Sequence, residues 1–466
     1  MSGTVSDTEP TSGKKQVVDG ARWVAVSEVA RQILRVVVAL FVARWLGPDE
    51  YGLAAIAILI NLFLETARDL GTGEAIIQAK DIGDKEFSTL FWLNAAVGAG
   101  FFALAYLAAP FLAELFNQPT ADDLIRVTSS AILFAGFGIV PRAILRRRLQ
   151  FRAVAGINLF SASVNGLVAI LLASQGAGAW SIAYATVVSA VMTTAAYLVI
   201  CRWRPFFSYE WHHVGQVAKF SLNLSAFRLV QFFTAHGDKV IVAAAYSPAD
   251  LGNYNLANRV IRNPMAVTQV SFSTVVFPAL SRFQEDNPRV GAAYLRGVGV
   301  VVAVIFPIVA LVVALAHPLV SFVLGDEWLV AVPIVGILAL VGAVQSMTLT
   351  AGTLFRAKGR TDLLFRFGLV ASPVSLLAYW LGAKVSVVGV AWGYLASVVL
   401  LFYPLFRLCL GLVDMRVRRL LKRVVPVAAA AIFTGAAVYG VRRVLENAGA
   451  SELLVLSLAS VSGGLV

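Results

Sequence analysis

Residues 153–201 read AVAGINLFSASVNGLVAILLASQGAGAWSIAYATVVSAVMTTAAYLVIC, 49 residues without one Asp, Glu, Lys or Arg. A helix needs about 20 mostly apolar residues to cross the hydrocarbon layer of a bilayer. The run is therefore too long for one crossing and the right length for two. Its break is Ser174-Gln-Gly-Ala-Gly-Ala179, small and glycine-rich. The stretch reads as two antiparallel membrane helices, 153–173 and 179–201, joined by a tight turn.

The rest of the chain repeats this pattern. Of its 466 residues, 59% are apolar and 14% charged, with a mean hydropathy of +0.80. Soluble domains carry about 25% charge. This composition excludes a cytosolic enzyme, a secreted disulfide scaffold and a disordered protein. Uncharged runs recur at 87–113, 297–325, 328–355 and 385–406. Together with shorter runs they predict spans at 18–45, 50–73, 87–111, 122–143, 153–173, 179–201, 216–245, 249–281, 290–316, 328–355, 362–382, 386–408, 422–441 and 452–466. The fold class is all-α: a polytopic membrane protein of about 14 helices, the last one incomplete. That last segment is short and lacks a flanking cation, so the natural chain is expected to continue. Residues 1–17 are polar and precede no cleavable h-region, so the first helix is expected to stay in the membrane. Cys201 and Cys409 have no CxxC spacing, and the four His form no zinc pattern. Neither metal nor cofactor is expected.

Cations set the orientation. With the N-terminus in the cytoplasm, 25 Lys and Arg fall in inner loops and four in outer ones (Arg44, Lys384, Arg442, Arg443). That is the positive-inside bias. It places the chain in the cytoplasmic membrane, and the inner count includes Arg142 and Arg146. Trp45, Trp180, Trp328 and Trp380 are expected in an outer aromatic belt, Trp203 and Trp211 in an inner one. Outer loops stay under roughly 16 residues, too short for a catalytic domain.

An internal repeat of about 200 residues orders these spans. Leu46-Gly-Pro-Asp-Glu-Tyr-Gly52 follows the first span and Tyr246-Ser-Pro-Ala-Asp-Leu-Gly252 the seventh. Ala108-Ala-Pro-Phe-Leu112 matches Ala316-His-Pro-Leu-Val320, Ala143-Ile-Leu-Arg146 resembles Thr353-Leu-Phe-Arg356, and the cysteines stand 208 apart. Six helices is an even number, so both copies enter the membrane the same way and are parallel repeats. The expected division is a polar cytoplasmic N-terminus (1–17), a first six-helix lobe (18–201), a cytoplasmic linker (202–215), a second lobe (216–409), a basic cytoplasmic loop (410–421) and helices 13 and partial 14 (422–466).

Seven cations fall well inside predicted spans: Arg31, Arg35, Arg68, Arg228, Lys239, Arg259 and Arg262. Four anions accompany them: Glu28, Glu65, Asp69 and Asp238. An ionisable group at a helix centre costs about 2.5–3.5 kcal/mol on insertion scales, so such residues face a bundle interior or a wet cavity. Glu28, Arg31 and Arg35 share one helix face by spacing. A surplus of three cations points to an anionic substrate, and arginine suits bidentate phosphate contact.

Gly20-x-x-Trp23, Ala43-Arg-Trp-Leu-Gly-Pro-Asp-Glu-Tyr-Gly-Leu53, Asp69-Leu-Gly-Thr-Gly-Glu-Ala-Ile-Ile-Gln78, Phe91-Trp-Leu-Asn94, Arg146-Arg-Arg-Leu-Gln-Phe-Arg152, Gly237-Asp-Lys239 and Leu251-Gly-x-Tyr-Asn255 stand in that order. Over residues 18–425 the chain resembles the Wzx or WzxC-like polysaccharide flippases of the multidrug/oligosaccharidyl-lipid/polysaccharide exporter superfamily. The resemblance implies two six-helix lobes in a V with alternating access. It also implies movement of a polyprenyl-diphosphate-linked oligosaccharide from the inner to the outer leaflet, for lipopolysaccharide, exopolysaccharide, capsule or teichuronic-type polymers. On this reading Arg31, Arg35, Arg228, Lys239, Arg259 and Arg262 bind the anionic head group. Glu28, Glu65, Asp69 or Asp238 binds a coupling proton or sodium ion. Expected partners are the lipid-linked substrate, membrane lipids and polysaccharide assembly proteins, with no nucleic acid. A cation-coupled drug antiporter is the alternative transporter, but it would need an acidic cavity. An integral-membrane polymerase or ligase would need a large outer loop, so the chain is read as no enzyme.

Overall fold

The computed structural model describes residues 11–68, 71–78, 82–207, 211–260, 280 and 285–448. The expected span 452–466, most of the second half of span 249–281, Asp69 and Arg262 lie outside them. The elements are α1 (Thr11–Arg68), α2 (Thr72–Gln78), α3 (Asp84–Leu115), α4 (Ala121–Arg147), α5 (Phe151–Ser174), α6 (Trp180–Cys201), α7 (Trp211–Ala245), α8 (described over 248–260), α9 (Asn287–Ala314), α10 (Ala316–Leu324), α11 (Ala331–Ala357), α12 (Thr361–Ala383), α13 (Val387–Gly411) and α14 (Val417–Asn447). No strand occurs among the described residues. Nine of their helices (α3–α6, α9 and α11–α14) are long and apolar enough to cross a membrane. The chain is a multi-pass membrane protein.

The first two expected spans are two helical arms of α1 that meet at a corner. Gly47 has φ 70° and ψ 173° and is followed by Pro48. Only glycine takes that φ without cost, and proline is tolerated where a new helix starts. The second arm of α1 ends at Arg68, short of the expected 73. Gly71 (φ 66°) then turns the chain into the short helix α2. A further short helix, α10, and a 3-10 turn at Asp326–Trp328 fill the loop between α9 and α11. Neither short helix was expected, because both are below membrane length.

The structure divides into two compact units. The first holds residues 1–38, 57–114 and 119–229, the second 39–56, 115–118 and 230–466. In the first, α6 packs on both α4 and α5; in the second, α13 packs on both α11 and α12, and α14 covers α9. The connecting turns repeat as well. Arg148, Leu149 and Gln150 donate backbone N–H groups to the carbonyls of Ile144, Arg146 and Leu145. Lys358, Gly359 and Arg360 do the same to Leu354, Arg356 and Phe355, each 210 residues on.

The two proline–glycine motifs meet inside the second unit. A Cβ on Gly52 would lie 1.7 Å from the Pro248 carbonyl oxygen, and one on Gly252 would lie 2.2 Å from that of Pro48. Backbone rests on backbone in both directions. Beside this seam Arg44 Nη1 donates to the carbonyls of Phe322 and Val323 at 3.1 and 3.2 Å. Tyr51 stands edge-on to Trp328. Trp328 is fully buried there, and Trp203 is buried against Phe87 and Phe91. Both were expected in aromatic belts, but each ring has an aromatic partner that seals it from the surface. Trp45 and Trp380 remain exposed.

Candidate functional site

A cavity of about 600 Å³ lies wholly within the first unit. The second arm of α1 brings Glu65 and Arg68 to it, α2 brings Glu74, and α7 brings Arg228. From α4 come Ala131, Ala135, Gly138, Arg142 and Arg146. These stand one or two turns apart on a single helix face. Small residues leave room along that face, and the two arginines then project into the space. From α5 and α6 come Ser161, Thr186, Ser189, Thr193 and Tyr197.

The charges do not cancel. Arg68 is buried and donates from Nη1 to the Ile132 carbonyl at 3.1 Å. Glu65, one turn before it, opens onto the cavity. Arg228 Nη2 lies 3.3 Å from Glu74 Oε1. Arg142 and Arg146 are exposed to the cavity, and neither forms an ion pair with a carboxylate among the described residues. The lining thus holds four arginines against two glutamates, and the surplus of two sits on α4. Two guanidinium groups one helical turn apart lie about 5–6 Å from each other at Cβ. That spacing suits an anion with two charged centres.

The expected site residues divide between the units. Glu28 and Arg31 form an ion pair on α1, with Arg35 exposed one turn on. Arg31 lies within electrostatic range of the Tyr197 phenol, as do Arg142 and Arg146. Glu28, Arg31, Arg35, Glu65 and Arg228 all belong to the first unit. Asp238, Lys239 and Arg259 belong to the second. Asp238 is buried and accepts hydrogen bonds from Tyr254 Oη at 3.0 Å and Asn258 Nδ2 at 3.4 Å. Arg259 Nη1 donates to the Tyr51 hydroxyl at 3.2 Å. Arg142 and Arg146, expected in an inner loop, lie within α4, which runs on to Arg147. Hydropathy drops where the charges begin, but the helix does not stop there. Glu74 was also missed, on the unexpected helix α2.

The wall from α5 and α6 is neutral. Tyr197 Oη donates to Asn158 Oδ1 at 2.9 Å. The Thr193 and Ser161 hydroxyls are 2.6 Å apart, and Asn165 Nδ2 donates to Ser189 Oγ at 3.3 Å. These rungs descend α5 and ascend α6 at matched steps. They form a polar ladder between two membrane helices that carry no charge from residue 153 to 201, satisfied by pairing rather than by lipid.

The family described as "Polysaccharide biosynthesis protein" matches residues 41–333. The chain is 26% identical over 394 residues to the teichuronic acid biosynthesis protein TuaB of Bacillus subtilis, covering 80% of each protein. It is 27% identical over 374 residues to the succinoglycan biosynthesis transport protein ExoT of Rhizobium meliloti, covering 80% of this chain and 76% of that one. Among solved structures it is similar to the lipid II flippase MurJ in an inward closed conformation. The TM-score is 0.77 at 16% identity, over 95% of this chain and 96% of that one.

Proposed function

The chain belongs to the polysaccharide biosynthesis protein family, and on that premise we propose that it flips a polyprenyl-diphosphate-linked oligosaccharide from the inner to the outer leaflet of the cytoplasmic membrane. It does so as a transporter, without breaking or making covalent bonds. The observation that carries this reading is the pair Arg142 and Arg146 in the cavity of the first unit, without an ion-pair partner among the described residues. A diphosphate in a bilayer needs its charge matched, and arginine matches phosphate with two parallel hydrogen bonds. The isoprenoid tail has no such need and stays in lipid. The relatives fit this class: one is named for teichuronic acid biosynthesis, another for succinoglycan transport.

The N-terminus and the basic helix ends face the cytoplasm in this proposal. Residues 18–201 and 216–409 act as the two lobes that alternate access, joined by 202–215 and followed by the basic loop 410–421 and the segment 422–466. Arg228, with Arg31 and Arg35 on α1, extends the anion path from Arg142 and Arg146. Lys239, Arg259 and Arg262 are offered as a separate set of anion-holding cations in the second half. Glu28, Glu65, Asp69 and Asp238 are the groups offered for a coupling proton or sodium ion. A drug antiporter would need an acidic cavity, and the surplus here is basic.

The test is translocation of a labelled polyprenyl-diphosphate oligosaccharide in proteoliposomes. Arg142→Ala with Arg146→Ala is expected to abolish it at unchanged protein level. Full translocation by the double variant would overturn the reading. An imposed proton or sodium gradient is expected to accelerate the wild-type protein and to leave an Asp238→Asn variant unaffected.

A further inference from the structure

The neutral α5–α6 wall has more order than a packing seam requires. Its side chains come from two faces: Ser161 on α5, and Thr186, Ser189, Thr193 and Tyr197 on α6. From Thr186 to Tyr197 the wall climbs 11 residues, about 16 Å of helix. The corresponding pair in the second repeat, α12 and α13, closes differently. There a Cβ on Gly382 would meet the Gly389 carbonyl oxygen at 2.1 Å, and one on Gly393 would meet that of Ala378 at 2.2 Å. Leu401 and Leu405 stand at the positions of Thr193 and Tyr197, at the 208-residue offset of the two cysteines. The same helix pairing is thus built in this chain without two of the ladder's rungs. The fold does not demand them.

Most protons on the wall are already committed. Thr186 donates to the Ile182 carbonyl, Ser189 to that of Thr186, Tyr197 to Asn158, and Thr193 gives its single proton to Ser161 or to the Ser189 carbonyl. A hydroxyl has one proton and two lone pairs, so what these groups still offer is acceptor capacity. A phosphate or carboxylate accepts only, and finds at most the Ser161 proton here. A neutral sugar ring is rich in O–H donors, and these match the wall. The cavity therefore sorts two chemistries: anion on the α4 arginines, polyol on the α5–α6 ladder.

We propose that this ladder is the specificity wall for the neutral sugar nearest the diphosphate, with Ser189 and Thr193 as its discriminating contacts. The proposal rests on the lipid-linked oligosaccharide reading above. A site built to pair with hydroxyl groups discriminates strongly against a ligand that lacks them.

The experiment measures binding to the full-length protein in nanodiscs. Two probes are used: bare polyprenyl diphosphate, and the same lipid carrying one neutral hexose. The wild-type protein is expected to bind the glycosylated lipid at least tenfold tighter. Thr193→Val and Ser189→Ala are each expected to bring that ratio towards one, with binding of the bare lipid unchanged. Thr193→Ser, which keeps the hydroxyl, should retain the ratio. A probe carrying a uronic acid should lose the advantage in the wild type. The wall is overturned if the wild-type ratio is one, if the ratio survives both variants, or if both probes weaken alike in them. Failure of the wild type to bind even the bare diphosphate lipid overturns the substrate reading itself, and the wall falls with it.

Discussion

Arg142 and Arg146 show how a charge can be counted correctly and placed wrongly. In the sequence they stand at the edge of an apolar run, among cations that orient helices. In the structure α4 runs past that edge to Arg147, and both side chains line the cavity. Charge-assisted hydrogen bonds contribute about 1.5–3 kcal/mol each. Replacing either arginine with Ala is therefore expected to slow translocation about ten- to hundredfold, measured as initial rate per reconstituted protein. Lysine keeps the charge but loses the fork, so Arg146→Lys should fall between wild type and Ala. Asp238 makes the opposite lesson. Its burial in a predicted span marked it from sequence as important, and the structure supplies partners that sequence could not: Tyr254 and Asn258. Asp238→Ala leaves both donors without this acceptor, at about 1–3 kcal/mol. It should lower the melting temperature in detergent more than Asp238→Asn, which keeps a carbonyl oxygen.

Among the elements, the membrane-length helices were legible because hydropathy over 20 residues is a strong signal. α5, α6 and the turn between them lie within a few residues of expectation. The short helices α2 and α10, of seven and nine residues, were not. They are too short for any hydropathy window, and α2 owes its start to a left-handed Gly71. Yet α2 places Glu74 opposite Arg228, so the illegible element is part of the site. The glycines separate by what surrounds them. Gly52→Ala drives a Cβ into the Pro248 carbonyl, and overpacking of this kind costs about 1–3 kcal/mol. Gly100 sits mid-helix in α3 with open space around its Cβ direction. Gly100→Ala should be neutral or stabilising, by up to about 1 kcal/mol. Thermal unfolding of the two variants in one detergent checks both signs.

For the whole molecule, the repeat is the feature that sequence read best, because it appears as motif order rather than as any one motif. The turns after α4 and α11 repeat hydrogen bond for hydrogen bond at an offset of 210. The proposed orientation, from parallel repeats and the cation bias, puts these two turns on the cytoplasmic side. Gln150→Cys and Arg360→Cys, at exposed positions of those two turns, are expected to react with an impermeant maleimide from the cytoplasm only. Gln175→Cys and Lys384→Cys, exposed at the other helix ends, are expected to react only from outside. Both native cysteines are buried and should stay silent. Labelling with the sides exchanged would invert the proposed orientation. The seam of Gly52 on Pro248 and Gly252 on Pro48 carries one more consequence. Between separate subunits it would be called isologous: one patch meeting its own copy, as in a twofold dimer. In a true dimer a substitution strikes both sides at once and symmetry is kept. Here the two copies are written separately in one chain, so each can drift alone, and the contact tolerates a larger residue on one side only if the other side yields.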